Sequence, residues 1–271
     1  MPDTVIELLK MADLEIIEYN INRLYSMSNL NRVFPFYVMS YLQSGEACLS
    51  VDGKIYYTGP GSIILVPPGT KHDHYKADTG ETTFLWWHFK FSIASVVDAV
   101  KILKLPLVSY LSHRDRFEEA FYRFYNSNKL NSLSSLLMHR ACGLELMALI
   151  IDDLVSDSNI NMEPEIPAAF LNILYEITDL NSPRISLEYL SRKYHMNANY
   201  ISNRFRKYFG MTPISMRREL VFKRSCEMLR TTGMSVGDIA CALGFDSTFS
   251  FTHFFTARAG VSPSGFRRAA G

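Results

Sequence analysis

The chain has 271 residues, of which 48% are hydrophobic and 20% charged, and its formal net charge is +1. This length suits two domains of ordinary size, and the composition excludes an intrinsically disordered chain. No apolar run is long enough to cross a bilayer and no signal peptide is expected, while four widely spaced cysteines favour a reduced, cytoplasmic protein.

Short strands separated by turns are predicted between Tyr37 and Phe91. The Asp52-Gly53 pair stands between two strand-like runs and is a strong signal for a β-hairpin. Gly59-Pro60-Gly61 and Pro67-Pro68-Gly69 mark two further turns. Strands at this spacing predict a small sandwich or barrel.

Helical periodicity replaces the strand pattern after Ser92. One helix face is indicated by four aromatic residues at helical spacing: Phe117, Phe121, Phe124 and Tyr125. A second apolar stripe predicts a helix from about Ser134 to Val155. These stripes are longer than one small barrel needs, so we expect them to cap the barrel and to pair with a second subunit. Packing within the monomer alone is the alternative.

Charge changes sign along the chain. Residues 1–165 carry 14 Lys and Arg against 20 Asp and Glu, a net −6, whereas residues 166–271 carry 14 against 7, a net +7. An acidic body with a basic end is typical of a protein that binds a polyanion, although an uneven scatter of surface charge gives the same counts. Residues 156–167 are polar and aperiodic, as linkers are. We therefore expect three parts: a domain over 1–157, a linker over 158–166 and a domain over 167–271.

The basic end contains an internal repeat. The pattern Phe205-x4-Gly210-x2-Pro213 recurs from Phe255 to Pro263. Each unit predicts a short helix, a turn and a second helix that ends at a glycine. Four polar residues are placed to begin these helices: Ser186, Asn197, Ser235 and Ser247. Such a unit is a helix-turn-helix, whose second helix can enter a DNA major groove, although helical bundles that never touch DNA share this geometry.

Many positions within Ser186–Arg267 form one composite pattern. They are Leu190, Tyr194, Tyr200, Ile201, Ser202, Phe205, Gly210 and Pro213 in the first unit, and Ile239, Ala240, Leu243, Gly244, Phe245, Phe251, Phe255, Gly260, Pro263 and Phe266 in the second. This pattern resembles the AraC/XylS family of bacterial transcription regulators. The resemblance implies an α+β chain: a cupin-like β-barrel (jelly roll) with following helices, then an all-α domain of two helix-turn-helix units joined by a long helix, here about Ile214–Arg230.

The resemblance also implies which residues meet DNA. We expect base contacts at Asn199, Ser202, Asn203, Phe249, Thr252 and His253, and phosphate contacts at Arg206, Lys207, Arg217, Arg218 and Arg224. In the first unit Ile201 and Phe205 are spaced for the core, which leaves the opposite helix face for DNA. Asn side chains donate and accept together and so suit adenine, whereas Arg and Lys suit phosphates. For each position an ordinary solvated surface role is the alternative.

The second unit departs from the family pattern. His253 and Thr256 stand where the family usually carries Arg and Lys, and Val221 stands in the connecting helix where Arg is frequent. Phe249 can offer only an apolar contact, for example to a thymine methyl, and a place in the core is its equal alternative. We expect this unit to contribute less phosphate attraction than the first.

A further resemblance concerns the acidic half. The run Gly61–His72, read as Gly-x5-Pro-x-Gly-x2-His, is similar to the second motif of cupin barrels, whose metal-binding members join this His to an earlier His-x-His and a Glu. No histidine precedes His72, and the metal positions fall near Arg32, Phe34 and Val38. We therefore expect no metal, cofactor or catalytic site. His74 and His72 could hold an adventitious metal, but a hydrogen-bonded turn histidine is favoured.

A barrel without metal chemistry suits a sensor. In sugar-sensing members of the family an aromatic ring lies under the sugar and an Arg meets its hydroxyls. The residues expected to bind the effector are Arg32, His72, Tyr75 and Trp86. Trp86 and Trp87 must point to opposite faces of a strand, so only one lines the barrel, and a packed core position is the alternative for that ring.

Together these features imply a transcription regulator and not an enzyme. The resemblance implies a dimeric activator with double-stranded DNA, a small polar effector such as a carbohydrate and RNA polymerase as partners, and no membrane. One alternative is a ligand-independent regulator whose barrel only dimerises or contacts protein. Another is a cupin enzyme with an appended DNA-binding module. Residues 1–30 are either a mobile arm or part of the core.

Overall fold

The computed structural model describes residues 3–76, 78–127, 132–156, 166–180 and 185–270. The chain divides into two compact units: a sheet unit of Ala12–Ser92 and Asp98–Pro164, and a helical unit of Met1–Met11, Ile93–Val97 and Glu165–Gly271. The expected linker, residues 158–166, lies outside the described residues except for Ile166. The domain boundaries therefore stay a prediction.

The strands are β1 (Ala12–Leu24), β2 (Ser28–Arg32), β3 (Tyr37–Ser44), β4 (Ala47–Val51), β5 (Lys54–Thr58), β6 (Ser62–Val66), β7 (His72–Tyr75), β8 (Thr82–Ile93), β9 (Val97–Asp98) and β10 (Val108–Tyr110). One sheet has the order β1-β8-β3-β6-β10, and a second has the order β2-β7-β4-β5. Strand β3 is antiparallel to β6 and β8, and β7 is antiparallel to β2 and β4. Helical periodicity is expected after Ser92, but β10 lies beyond that residue and adds an edge strand beside β6.

The Asp52-Gly53 turn forms the predicted hairpin between β4 and β5. Both residues have positive φ, 49° and 77°, as a two-residue hairpin turn of the type I′ class requires. Val51 therefore pairs directly with Lys54.

The core of the sheet unit lies between its two sheets. Buried apolar side chains from both sheets form one cluster: Leu42, Ala47, Leu49, Ile64, Val66 and Phe84. Each large member contributes roughly 1.5–3 kcal/mol by leaving water. The predicted sandwich or barrel is confirmed by this arrangement.

Three helices complete the sheet unit: α2 (Ala99–Leu103), α3 (Arg114–Ser127) and α4 (Leu133–Ser156). The predicted aromatic face of α3 is buried at Phe117, Phe121 and Phe124, and Phe124 lies edge-on to the Trp87 ring at 5.2 Å. Helix α4 packs against α3 and β1.

Helix α4 corrects one expectation. Over Leu133–Leu154 it is long and apolar enough to cross a membrane, with a mean hydropathy of 1.4. Its inner face, including Leu146 and Ile150, is buried within the sheet unit. A core helix meets the same criterion of length and composition, and the packing of α4 against α3 and β1 buries part of its apolar surface.

The helical unit contains α1 (Asp3–Leu9), α5 (Ala168–Thr178), α6 (Leu187–Tyr194), α7 (Ala198–Phe209), α8 (Pro213–Thr231), α9 (Val236–Ala242), α10 (Thr248–Ala259) and α11 (Pro263–Ala270). Helix α1 packs on α5 with Val5 and Leu8 buried. The Thr4 hydroxyl donates to the Asn172 side-chain oxygen at 2.6 Å. Within residues 3–30 the chain thus forms α1, β1 and the start of β2, and the buried Val5, Leu8 and Leu14 fit the alternative that placed this segment in the core.

The repeat is confirmed as two helix-turn-helix units, α6–α7 and α9–α10, joined by α8. All four predicted N-caps accept a backbone hydrogen bond in the first turn of their helices: Ser186, Asn197, Ser235 and Ser247. Helices α7 and α10 both end at a glycine with left-handed φ, 81° at Gly210 and 72° at Gly260. This conformation costs a residue with a Cβ about 1–2 kcal/mol. Glycine at both positions therefore explains why α7 and α10 end at equivalent positions of the repeat.

Candidate nucleic-acid interface and ligand cavity

Helix α7 has one buried and one exposed face. Ile201 and Phe205, one turn apart, are fully buried and fix the helix to its unit. The opposite face is polar, with Asn199, Asn203, Arg206 and Lys207 exposed and Ser202 half-buried. Four of the five residues expected to meet DNA from this helix are thus exposed, and all five lie on one element.

Helix α10 repeats this frame with a different exposed face. Phe251 and Phe255 are fully buried. Phe249 is 80% exposed, so the alternative that placed its ring in the core is wrong. His253 is exposed and Thr252 half-buried. The exposed surface of α10 thus offers an aromatic ring where α7 offers amides.

The basic residues of α8 differ in their partners. Arg218 is exposed. Arg224 is also exposed and pairs with Glu227 at 2.7 Å on its own helix. Both positions leave the side chains open to a phosphate.

Arg217 corrects a sequence-based expectation. Its Nη1 donates to the carbonyl oxygens of Ile177 and Asp179, at 3.0 and 2.6 Å, at the end of α5. Burial lowers the pKa of this guanidinium from its usual value. A cation at a helix C-terminus satisfies carbonyls that have no intrahelical donor. Arg217 therefore holds α5 against α8, and this role argues against the predicted phosphate contact.

Two other arginines of the basic end are also used within the unit. Arg258 of α10 pairs with Glu219 of α8 at 2.8 Å. Arg267 of α11 donates to the carbonyl oxygens of Leu229 and Met234. The net charge of the basic end thus overstates the charge that is available to a polyanion. Arg204, by contrast, is exposed on α7 and was not predicted, although it lies next to Asn203.

The sheet unit contains a cavity of about 420 Å³. Its uncharged polar wall is formed by Asn22, Ser26, Ser28, Asn29 and Ser40; its aromatic wall by Phe34, Phe84 and Trp86; and its basic wall by Arg32, His72, His74 and His88. Strands β2, β3, β7 and β8 supply most of these residues. The volume falls within the range of small-molecule sites.

Three of the four predicted effector residues, Arg32, His72 and Trp86, line this cavity. Tyr75 does not, because β7 alternates and its inward residues are His72 and His74. Tyr75 pairs instead with Cys48 on the next strand. This position corrects the expectation that Tyr75 meets the effector.

The two tryptophans point to opposite faces of β8, as predicted. Trp86 lines the cavity, whereas Trp87 is fully buried and stacks on Phe89 at 4.6 Å. The same parity places His88 beside Trp86, with ring centroids 4.9 Å apart. Sequence reasoning did not assign His88 to the site, although its spacing of two from Trp86 was a usable signal.

The three histidines of the cavity differ in their partners. His72 Nδ1 donates to the Thr70 carbonyl oxygen at 3.0 Å, as a turn histidine does, because a carbonyl can only accept. His74 is 9% exposed, and its Nε2 has no hydrogen-bond partner among the described residues. Burial lowers the pKa of His74 to about 4, and the nearby His72 and Arg32 act in the same direction.

His88 lies between two aromatic rings and one carboxylate. The Phe34 and Phe36 ring centroids are 5.4 and 5.1 Å from its own. Burial lowers the pKa of His88, and Glu18, whose Oε2 is 3.5 Å from Nδ1, opposes that shift. Imidazoles held mostly neutral can gain a proton when an anion arrives.

The residues to which the cupin resemblance assigns the metal positions are Arg32, Phe34 and Val38. All three lie in the cavity wall, and none has a side chain that usually binds a metal. Within the described ranges no group of three or more His, Cys, Asp or Glu side chains is placed to hold a metal ion.

Helix α4 exposes a stripe of apolar side chains. They are Leu133, Leu136, Leu137, Met138 and Leu144, and the most exposed are Leu133 at 85% and Leu137 at 74%. Large exposed apolar patches are a common feature of interaction surfaces.

Comparisons with known proteins match both units. A family model described as an AraC-like ligand binding domain matches residues 23–126, and one described as a helix-turn-helix domain matches residues 190–269. The chain is 23% identical over 243 residues to the MmsAB operon regulatory protein of Pseudomonas aeruginosa, covering 86% of this chain and 75% of the relative. It is 23% identical over 251 residues to the arabinose operon regulatory protein of Salmonella typhimurium, covering 85% and 83%. Among solved structures, ToxT from Vibrio cholerae is 14% identical at a TM-score of 0.34, covering 92% of this chain and 97% of ToxT.

Proposed function

Because the chain belongs to the AraC family of transcription regulators, with a ligand-binding domain followed by a helix-turn-helix DNA-binding domain, we propose that α7 and α10 enter successive major grooves of its operator. The observation that carries this proposal is the polar exposed face of α7 opposite the buried Ile201 and Phe205. Helix α8 joins the two reading helices, and a separation of about one DNA turn, roughly 34–36 Å, would place both in successive major grooves.

The proposed DNA contacts fall into two classes. Asn199, Ser202 and Asn203 of α7 and Phe249, Thr252 and His253 of α10 read bases, whereas Arg206, Lys207, Arg218 and Arg224 meet phosphates. Amide side chains give base discrimination, while guanidinium and ammonium groups give salt-dependent affinity. Arg217 is left out because its guanidinium donates to the carbonyl oxygens of Ile177 and Asp179.

The cavity of the sheet unit is the proposed effector site, with Arg32, His72 and Trp86 in its wall. Its volume and its mixture of amides, hydroxyls and one indole fit a molecule of monosaccharide size. The Salmonella typhimurium relative is named for the arabinose operon, which supports a carbohydrate-like effector here. An effector changes DNA binding only through a difference in its affinity for the two states of the protein.

The exposed apolar stripe of α4 is the proposed dimer contact. A second copy would cover Leu133 and Leu137, which are otherwise left in water. A dimer places two pairs of reading helices on one operator, and the proposed role is cytoplasmic activation through contact with RNA polymerase.

We favour a regulator over an enzyme because the two matching family models describe a ligand-binding domain and a helix-turn-helix domain. The relatives reported above are named as operon regulators. The proposed division of labour assigns effector binding and dimerisation to residues 1–157, a linker to 158–166 and DNA binding to 167–271.

The test is selection of binding sites from random double-stranded DNA with the full chain, followed by footprinting on the selected sequence. We expect two protected half-sites on one face of the duplex and a steep loss of affinity with salt. Equal affinity for selected and random DNA would overturn the proposal.

A further inference from the structure

We propose that the cavity of the sheet unit takes a small polyhydroxy anion, a sugar-like molecule that bears one carboxylate or phosphate, and not a neutral sugar. This inference rests on the proposed function, because it assumes that the cavity is the effector site. It goes further by assigning the ligand a charge.

The first argument is the composition of the cavity wall. Of the described residues that line it, four have side chains that carry or can gain a positive charge, and none is Asp or Glu. Neutral sugars are bound through hydroxyl groups that both donate and accept, and the described wall contains no Asp or Glu to act as a charged acceptor for them. An anionic group would instead meet charge-assisted donors, which are roughly twice as strong as neutral ones.

The second argument is that the basic groups converge. Arg32 of β2 pairs directly with His72 of β7, and Asn29 of β2 pairs with His74. The positive charge of Arg32 is close enough to lower the pKa of both His74 and His88. The cluster therefore brings together side chains from three strands around one volume.

The third argument is the unsatisfied nitrogen of His74. This side chain is more than nine-tenths buried, faces the cavity, and has no partner for Nε2 within the described residues. A buried polar atom without a partner destabilises the fold, and a ligand oxygen beside it would remove that cost. The same oxygen would favour the protonated imidazole if it carried negative charge.

The charged groups around His74 and His88 determine whether an anionic ligand can favour their protonated forms. The titratable groups that face His74 are His72 on its own strand and Arg32 on β2; those that face His88 are Arg32, His72 and, on β1, Glu18. Glu18 is the one carboxylate among these groups, and its side chain is 65% exposed. An anionic ligand would thus add the negative charge that His74 lacks.

The uncharged wall completes the recognition. Asn22, Asn29 and Ser40 supply amide and hydroxyl groups that can bind ligand hydroxyls, and Trp86 supplies an apolar face for a ring. The cavity thus has one basic side and one neutral polar side, which fits a molecule with one anionic end.

The experiment is calorimetric titration of the full chain with matched pairs: galacturonate against galactose, gluconate and glucose 6-phosphate against glucose, and inorganic phosphate alone. We expect the charged member of at least one pair to bind at least about tenfold more tightly than its neutral partner. The carboxylate and phosphate arms separate the two possible anionic groups. The pH dependence is a second readout: the pKa of His74 is lowered to about 4, so a ligand that protonates this imidazole takes up a proton, and its affinity falls as pH rises above about 4 towards the pKa of the bound form.

Variants link the effect to the cluster. His74→Gln keeps a polar side chain of similar size but cannot gain charge, and Arg32→Met removes charge at an exposed strand position. We expect each substitution to lower the affinity for the sugar acid by about tenfold and to reduce the proton uptake on binding. Tyr75→Phe, on the other face of β7, should leave the affinity unchanged.

Three results would overturn the inference: neutral sugars that bind as tightly as their acids in every pair, no binding by any member of the panel, or binding of divalent transition metal in place of the anions. Binding to the selected operator is measured on the same preparation. Intact operator binding with a failed titration refutes the anionic ligand alone, whereas loss of specific DNA binding refutes the proposed function.

Discussion

Helices α7 and α10 share one frame and differ in what they expose. Each begins at a side-chain cap, buries a pair of residues one turn apart and ends at a left-handed glycine. On the open face α7 carries Asn199 and Asn203, whereas α10 carries Phe249. The repeat has therefore kept its packing positions while its reading positions diverged. We expect α7 to provide most of the hydrogen-bonded readout and α10 a weaker, apolar one.

The largest expected effect concerns the shared frame. Phe205→Ala and Phe255→Ala each remove a fully buried ring, so each should lower the free energy of unfolding by about 3–5 kcal/mol. Urea unfolding of the full chain measures both, with the exposed Phe249→Ala as the control that should change stability by less than about 0.5 kcal/mol. A large difference between the two buried sites would show that the two frames are not equivalent.

The next effect separates base readout from stability. Asn203→Ala should cost roughly 1–3 kcal/mol of binding free energy at one base pair of the operator, because it removes a bidentate partner. Its affinity for random DNA and its unfolding should stay unchanged. Quantitative gel shift on operators altered one pair at a time checks this, and a loss that is uniform across all sequences would contradict it.

A third comparison is between two arginines with the same formal charge. Arg206→Ala should weaken binding to every sequence and lower the slope of log affinity against log salt by about one. Arg217→Ala should leave that slope unchanged and should destabilise the fold by about 1–3 kcal/mol, because two carbonyl oxygens lose their donor. Salt titrations and unfolding curves measured on both variants decide the assignment. A reduced slope for Arg217→Ala would restore its phosphate role.

The smallest expected effect tests the apolar reading by α10. If Phe249 contacts a thymine methyl, Phe249→Ala should cost about 0.8 kcal/mol, the value of one buried methyl or methylene. Replacing that thymine with uracil in the operator should cost the wild-type chain the same amount and the variant nothing. Additive losses from the two changes would exclude the contact.

Local signals predicted much of the fold. The caps, the terminal glycines and the Asp52-Gly53 turn depend on a few neighbouring residues, and the structure confirms each of them. The partners of Arg217 are Ile177 and Asp179, which lie 40 and 38 residues away in the sequence. No periodic pattern in the sequence predicts such a contact.

The candidate cavity was predicted less completely, for a reason of parity. Once His72 faces inward, alternation brings His74 inward and turns Tyr75 out. The same rule, applied from Trp86, assigns His88 to the wall. The inward positions of these residues could therefore be predicted from the sequence. The proximity of Arg32 to the histidines could not, because it depends on the register between β2 and β7, which no local pattern specifies.

Helix α1 has a consequence for how the protein can be divided. Its Val5 and Leu8 cover α5, so the first residues of the chain and the first helix after the expected linker share one apolar contact. A proteolytic fragment that starts at Ala168 would keep both helix-turn-helix units and lose this cover. The apolar surface of α5 that becomes exposed to solvent would favour self-association of the fragment. A separate peptide of residues 3–11 would cover that surface again.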